Sequence, residues 1–420
     1  MKVSVLAHCS HNKGDNSVLS FINNMFDDDN SIKSVHVSTS SGEKPFWFSG
    51  DAVASFWGCG PRFPKKDESV INKFLRVVRN RFLDKLYYLA LYLYAKDMDV
   101  MLKVLLDLIL NNDFKKQIDT SDIVICTGGH HISSVLDKDG VNSQLVDMIY
   151  SVVSNKSLYL WAQSIGPVET DKDFVIKGIG KLLESSSFIC YRDEDSRQFI
   201  ESLNVETNKK LVDDSVFGLR SKIMLQIPGK EIGTNIKKKA VIAVYTAGKL
   251  KNNTLSKYKE ILTETIDHLL NLDYVVELLP MQYKGLQDDE RPFLYELKQS
   301  ASNSSSVSVL VEDMSPTDTL NYLKDIDILI GHKTHSVVYG LALAIPTIAI
   351  SYHPKTTFFM SRFNMSDYVI DDKFLSSELV IEKIDAAMKN ADLIKNTIKD
   401  SSNHIGANVI ESFNEMIERS

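Results

Sequence analysis

Short apolar runs alternate along the chain with longer segments whose apolar positions recur every three or four residues, the pattern of strand–helix–strand units around parallel sheets. In the first half, runs at 3–7, 34–37, 123–126, 158–160, 188–191 and 210–212 predict strands, and 17–25, 143–153 and 194–203 predict helices between them. A stretch with Pro and Gly at 227–232 precedes a second series, with strands predicted at 240–244, 274–278, 307–310, 326–330 and 347–350. The expected architecture is α/β: two Rossmann-like doubly wound domains, 1–226 and 227–420, facing a cleft. The last periodic segment, 404–419, is expected to cross back to the first domain.

One interval breaks the alternation. About eighty-five residues separate the second and third predicted strands, more than one crossover helix needs. A helical insertion is therefore expected at about 46–117. Its centre, 73–96, carries Phe74, Val77, Val78, Phe82, Leu86, Leu89 and Leu93 at helical spacing, with Lys73, Arg76, Arg79, Arg81 and Lys85 near its start. Two readings fit: an amphipathic helix packed on its own domain with charges facing water, or a peripheral surface for anionic lipid head groups or a lipid-linked substrate.

Composition narrows the classes. With 420 residues, 44% of them hydrophobic, the chain is long enough for two cores. A net charge of -7 gives no global attraction to nucleic acid or anionic lipid, so an anion site must be a local cluster. The apolar start is too short for a signal peptide, and no run reaches the length of a membrane span, so a cytoplasmic enzyme, free or at the inner face of the membrane, is expected. Cys9, Cys59, Cys126 and Cys190 form no CxxC pair and are expected to stay reduced. The histidines are dispersed, and no metal site is expected.

The densest chemistry lies between Gly331 and Lys355. A strand ends at Gly331 and a helix begins soon after, which puts His332, Lys333 and His335 where α/β proteins hold ligands. A helix N-terminus offers unpaired N–H groups and a partial positive charge, and Lys333 adds a full one, so an anionic substrate is expected. The next strand leads into Ser351-Tyr352-His353-Pro354-Lys355, bringing Lys355 to the same edge. Histidine transfers protons near neutral pH. A single one is usually a packed or capping residue, but a cluster at consecutive strand ends points to a site.

These residues resemble the polysaccharide pyruvyltransferases. That family's Arg/Lys-x-His helix start, Pro-containing strand and S-Y-D-P-K turn match Lys333-Thr334-His335, Pro346 and Ser351-Tyr352-His353-Pro354-Lys355. In the first half its N-x-G-D-E/N turn resembles Asn12-Lys13-Gly14-Asp15-Asn16, and its Gly-rich turn resembles Thr127-Gly128-Gly129-His130. Its G-Q-x-I-G-P turn corresponds to Ala162-Gln163-Ser164-Ile165-Gly166-Pro167, its R-D/E-x-x-S segment to Arg192-Asp193-Glu194-Asp195-Ser196, and its D-P-A-F element to Asp214-Ser215-Val216-Phe217. Two positions depart from the pattern. Lys333 replaces an Arg, keeping charge but losing the bidentate fork, and His353 replaces an Asp.

The resemblance implies a GT-B-like fold and a transferase of exopolysaccharide, capsule or cell-wall synthesis. Phosphoenolpyruvate would be its co-substrate, without a further cofactor, and a sugar diol, lipid-linked or not, its acceptor. The product is a pyruvate ketal. On this basis His335 and Asp214 are expected to be catalytic, and Lys333, Lys355, Arg192, Gly331, His332 and His353 to hold the donor's phosphate and carboxylate. Asn12, Asp15, Asn16, Gly128, Gly129, His130 and Gln163 are expected to face the acceptor, with the first domain as the acceptor side. Arg192 has two readings, an anion clamp or the partner of Asp193 or Asp214. The glycine turn likewise serves a tight bend or a ligand. The same cleft also suits a nucleotide-sugar glycosyltransferase or a non-catalytic envelope-assembly protein.

Overall fold

The computed structural model describes residues 1–7, 13–27, 34–39, 44–56, 69–134, 138–224, 237–247, 249, 254–283 and 289–418. They form two compact units: Met1–Ser10, Val18–Ser215 and Asn408–Ser420 in one, His11–Ser17 and Val216–Ala407 in the other.

The first unit is built on seven parallel strands: β1 (Lys2–Leu6), β2 (Ser34–Thr39), β3 (Ala52–Ala54), β4 (Ile123–Cys126), β5 (Ser157–Gln163), β6 (Phe188–Tyr191) and β7 (Lys209–Leu211). Their order is β3-β2-β1-β4-β5-β6-β7. All four residues of β4 are buried, as expected of an unbroken apolar run in a sheet covered on both faces. The helices of this part of the chain are α1 (Lys13–Asp27), α2 (Val70–Ala95), α3 (Asp99–Ile109), α4 (Asn112–Thr120), α5 (Ser143–Val153), α6 (Asp173–Glu184) and α7 (Glu194–Ser202). The apolar faces of α2 to α7 join the central strands in one core. A second cluster stacks Phe21 on Trp161 at 5.6 Å and sets Phe413 edge-on to Trp161 at 5.0 Å. The indole N–H is not orphaned by burial, because it donates to Ser215 Oγ at 3.0 Å.

The second unit repeats the design with six parallel strands: β8 (Lys239–Ala243), β9 (Val275–Leu279), β10 (Val307–Val309), β11 (Ile328–Gly331), β12 (Thr347–Ser351) and β13 (Val369–Asp371). Their order is β10-β9-β8-β11-β12-β13. The helices of this part of the chain are α8 (Ser215–Met224), α9 (Leu255–Asn271), α10 (Arg291–Ser300), α11 (Pro316–Leu323), α12 (Thr334–Ala342), α13 (Pro354–Arg362), α14 (Ser377–Lys389) and the long α15 (Ala391–Glu418), whose residues from Asn408 on belong to the first unit. In each sheet the strand order reverses beside the first strand, between β1 and β4 and between β8 and β11. Crossovers leave in opposite directions there, opening a crevice at the strands' C-terminal ends.

Three expectations need correction. The sheets have seven and six strands, not the six and five read from the sequence; β3 and β13 are three-residue edge strands, too short to register as apolar runs. Helix α15 begins at Ala391, thirteen residues before the expected start. The insertion is narrower than 46–117. Residues 52–54 extend the sheet, Phe56 bridges Leu110, and Asn111 donates to the Ser55 carbonyl at 2.9 Å, so the excursion leaves and rejoins at one place. Helix α4 is then the ordinary crossover into β4.

Cys126 and Cys190 are buried free thiols, whereas Cys9 and Cys59 lie outside the described residues. Among the described residues, no helix is long and apolar enough to cross a membrane.

Candidate active site

In the second unit the chemistry gathers where β8 and β11 end. The Gly331 carbonyl end of β11 runs through His332 into α12, with Lys333 at the N-cap and His335 in the first turn. The neighbouring strand β12 runs into α13, with His353 at the N-cap and Lys355 in the first turn. Adjacent strands thus deliver two helix N-termini, each with a lysine.

Lys333 is nearly buried and its ammonium is held: Nζ donates to Gln282 Oε1 at 2.8 Å and lies 2.9 Å from Glu290 Oε1. Glu290 is 1% exposed, and its other oxygen accepts the N–H groups of Met281 at 2.8 Å and Gln282 at 3.2 Å. Burial pushes the Glu290 pKa up, and Lys333 pulls against that shift. The ammonium also stands 5.9 Å from the Tyr245 ring centre, and Tyr245 stacks on Tyr352 at 4.2 Å.

His335 is half-buried and packs against Gly14. A Cβ on Gly14 would fall 2.1 Å from His335 Nδ1 and 2.3 Å from Cγ, so only a residue without a side chain leaves the ring where it is. The neighbouring Lys13 is buried: its Nζ donates to the Met314 carbonyl at 2.7 Å, lies 3.5 Å from Asp313 and covers the Tyr283 ring at 4.7 Å. Burial lowers the Lys13 pKa to about 8, against the opposing pull of Asp313. Asn16 follows in the same helix, half-buried.

His332 is fully buried and faces the interior. Its Nδ1 bonds Tyr258 Oη at 2.8 Å, and its Nε2 lies 3.3 Å from Asp372, which also pairs with Lys249. Burial lowers the His332 pKa. It raises that of Asp372, but contacts with His332 and Lys249 win and hold the carboxyl at about 2. Through Tyr258 the ring braces the end of β11. His353 acts within its own turn, where its Nδ1 accepts the Lys355 N–H at 3.2 Å, the capping role an Asp would play. Accepting requires an unprotonated Nδ1, and burial followed by Lys355 lowers this ring's pKa.

In the first unit the candidates sit at the ends of β4, β5 and β6. Gly128 and Gly129 turn the chain after β4; Gly129 has φ +155°, and a Cβ on Gly128 would meet the Ala162 carbonyl oxygen at 2.5 Å. His130 follows, half-buried. Gln163 is fully buried, and its amide donates to the Thr127 carbonyl and, at 3.2 Å, to Cys126 Sγ, tying β5 to the end of β4. Arg192 donates from Nε to Ser164 Oγ at 2.8 Å, and its Nη1 stands 3.9 Å from the buried carboxylate of Asp214. Asp214, one of the two partners expected for Arg192, is thus within ion-pair reach. Asp193, the other, caps α7 by accepting the Ser196 N–H at 3.0 Å.

Asn12 lies outside the described residues. Sequence reasoning missed Glu290, Gln282, Tyr245, Tyr258, Lys249 and Asp372. They belong to no motif and reach the site from distant segments, so no local signal marked them. A cavity of ≈ 260 Å³ lined by Lys210, Asp213, Asn408, Glu411 and Ser412 lies in the first unit and holds none of the candidate residues.

A family model described as polysaccharide pyruvyl transferase matches residues 42–354. Among solved structures, the chain is similar to MnaA of S. aureus in its UDP co-structure (TM-score 0.56, 8% identity, 99% of this chain and 95% of that one). It is also similar to UDP-GlcNAc 2-epimerase from Neisseria meningitidis bound to UDP-GlcNAc (TM-score 0.52, 10% identity, 100% of both chains). A third likeness is to Anabaena HepE in complex with UDP (TM-score 0.51, 10% identity, 100% of both chains). At such identities the likeness concerns the fold alone: two parallel α/β sheets of the GT-B-like kind.

Proposed function

The chain belongs to the polysaccharide pyruvyl transferase family, and on that premise we propose that it moves the pyruvyl unit of phosphoenolpyruvate onto two hydroxyls of a sugar in a cell-surface glycan precursor. The products are a cyclic pyruvate ketal and inorganic phosphate. The observation that carries the reading is the pair of helix N-termini on adjacent strands, β11 and β12, with Lys333 and Lys355 beside them and His335 in the first turn of α12.

His335 protonates the methylene carbon of the donor, which becomes a methyl group and leaves an oxocarbenium-like centre at C2. One sugar hydroxyl adds to C2 and gives up its proton. The C2–O bond to phosphate then breaks, the electron pair leaves with the phosphate, and the second hydroxyl closes the ring and loses its proton. Lys333, Lys355 and the N–H groups beginning α12 and α13 stabilise the departing phosphate. Because Glu290 shares Lys333, the ammonium is fixed in place before the anion arrives. Gly331, without a side chain, leaves room for Ser336 and Val337 of α12, while His332 and His353 hold the end of β11 and the start of α13 in position.

Within the first unit, Arg192 is assigned to a donor anion and Asp214 to an acceptor hydroxyl. Asn12, Asp15, Asn16, Gly128, Gly129 and His130 are assigned to the acceptor, with Gln163 supporting the glycine turn.

The test is phosphate release from phosphoenolpyruvate by purified protein across a panel of sugar acceptors, with product masses and a folded His335→Ala variant. Acceptor-dependent release, a product heavier by one pyruvate less water, and loss of turnover in the variant are expected. No release with any acceptor, together with saturable binding of a nucleotide sugar, overturns the reading in favour of a glycosyltransferase. Parental turnover by the variant removes His335 from the mechanism.

A further inference from the structure

Helix α2 has two apolar faces. Tyr87, Ala90, Leu91 and Tyr94, spaced three or four residues apart, are buried in the core of the first unit. Ile71, Phe74, Leu75, Val78, Phe82 and Leu89 form a second stripe and are all exposed; Ile71 is 72%, Phe74 66% and Phe82 61% accessible. Leu89 lies two residues from both Tyr87 and Leu91, about 200° around an α-helix, so the stripes point in opposite directions. The next helix adds Val100, Met101, Val104 and Leu108, also exposed, while its Leu102 and Leu106 are buried. A surface this apolar on a chain with two well-filled cores marks an interaction site.

Charge selects the partner. Between Val70 and Leu86 the helix carries Lys73, Arg76, Arg79, Arg81 and Lys85 against Asp84 alone, in a chain whose net charge is -7. Arg79 and Arg81 fall on either side of the exposed stripe, and Lys85 falls within it. Apolar side chains flanked by cations are what an interfacial helix presents to acidic head groups, where each cation adds to the attraction. A symmetric pairing of two copies would set this cationic surface against itself and be repelled. We infer that the exposed face of α2, extended by α3, docks the protein on an anionic phospholipid bilayer. Phe74 and Phe82 enter the acyl boundary, and Arg81 and Lys85 meet the lipid phosphates. This docking is independent of the reaction proposed above.

The experiment is cosedimentation of the full chain with vesicles of phosphatidylcholine alone and of phosphatidylcholine mixed with phosphatidylglycerol, at low and high salt, alongside sedimentation velocity without lipid. Binding to the mixed vesicles that weakens with salt is expected. The Arg81→Gln/Lys85→Gln variant is expected to lose roughly fivefold in partitioning per charge removed. A second variant, Phe74→Ser/Phe82→Ser, is expected to lose at least about tenfold. All these positions are exposed, so both variants keep the parental circular dichroism. Absence of binding to mixed vesicles, equal binding to both vesicle types, or binding untouched by either variant overturns the inference. So does a lipid-free dimer that the Phe74→Ser/Phe82→Ser variant dissociates, which would make the stripe a protein interface.

Discussion

The Lys333–Glu290 pair allows a quantitative test of how the site is held. The groups are 2.9 Å apart with 11% and 1% of their side chains exposed, so neither partner is well solvated without the other. At an effective dielectric of about 20 the Coulomb attraction at this separation is about 6 kcal/mol, much of it offset by desolvation. Removing one partner leaves a buried charge and should cost about 3 kcal/mol, whether as Glu290→Gln or Lys333→Met. Glu290→Gln keeps a carbonyl oxygen for the Met281 and Gln282 N–H groups, so its loss reports the charge. The double variant removes both charges and should cost less than the sum of the single losses by on the order of 2 kcal/mol. Urea unfolding at unchanged slope measures all four corners of the cycle. Additivity to within about 0.5 kcal/mol would refute the claim that the pair is coupled and that Glu290 holds the ammonium. In turnover assays, Lys333→Met should raise KM for phosphoenolpyruvate, and an unchanged KM would remove Lys333 from the anion site.

Gly14→Ala forces the His335 ring to move, and a displacement of about 1 Å at a catalytic group costs roughly 100-fold, so kcat should fall steeply while the fold survives; kcat within twofold of the parent would contradict the role of that packing. Asp147, fully buried with Ser55 Oγ 2.7 Å from Oδ2, has its pKa raised by burial to about 8. The folded chain therefore keeps a proton that the unfolded chain releases near pH 4, so this residue's contribution falls as pH rises from about 4 to about 8 and levels off above. Asp147→Asn should gain stability over the parent at pH 8 by several kcal/mol, on the order set by such a shift, and little at pH 4; equal melting temperatures at both pH values would contradict the assignment. Phe413→Ala opens a cavity beside Phe21 and Trp161 and should cost about 3–5 kcal/mol by urea unfolding, whereas a loss under 1 kcal/mol would mean that the cluster adds little.

Runs such as Ile123–Cys126 and Ile328–Gly331 were legible in the sequence because a strand covered by helices on both faces must be apolar throughout, and their alternation with helical periodicity implied two parallel sheets. The strand-to-helix turns of the candidate site were legible for a related reason: strand ends followed by Lys333-Thr334-His335 and His353-Pro354-Lys355 are local features, set by residues adjacent in the chain. Only the tertiary structure decided which of these residues are braces and which face outward. His332 and Gln163 read as ligand contacts in the sequence, yet burial turns them inward to Tyr258 and to the end of β4. Glu290, Asp372 and Gly14 reach Lys333, His332 and His335 from segments far away in the chain, and the short edge strands β3 and β13 exist because a neighbour supplies the hydrogen bonds. Periodicity and motif spacing record what a segment can bury; which partner it meets depends on chain closure, which no local pattern encodes.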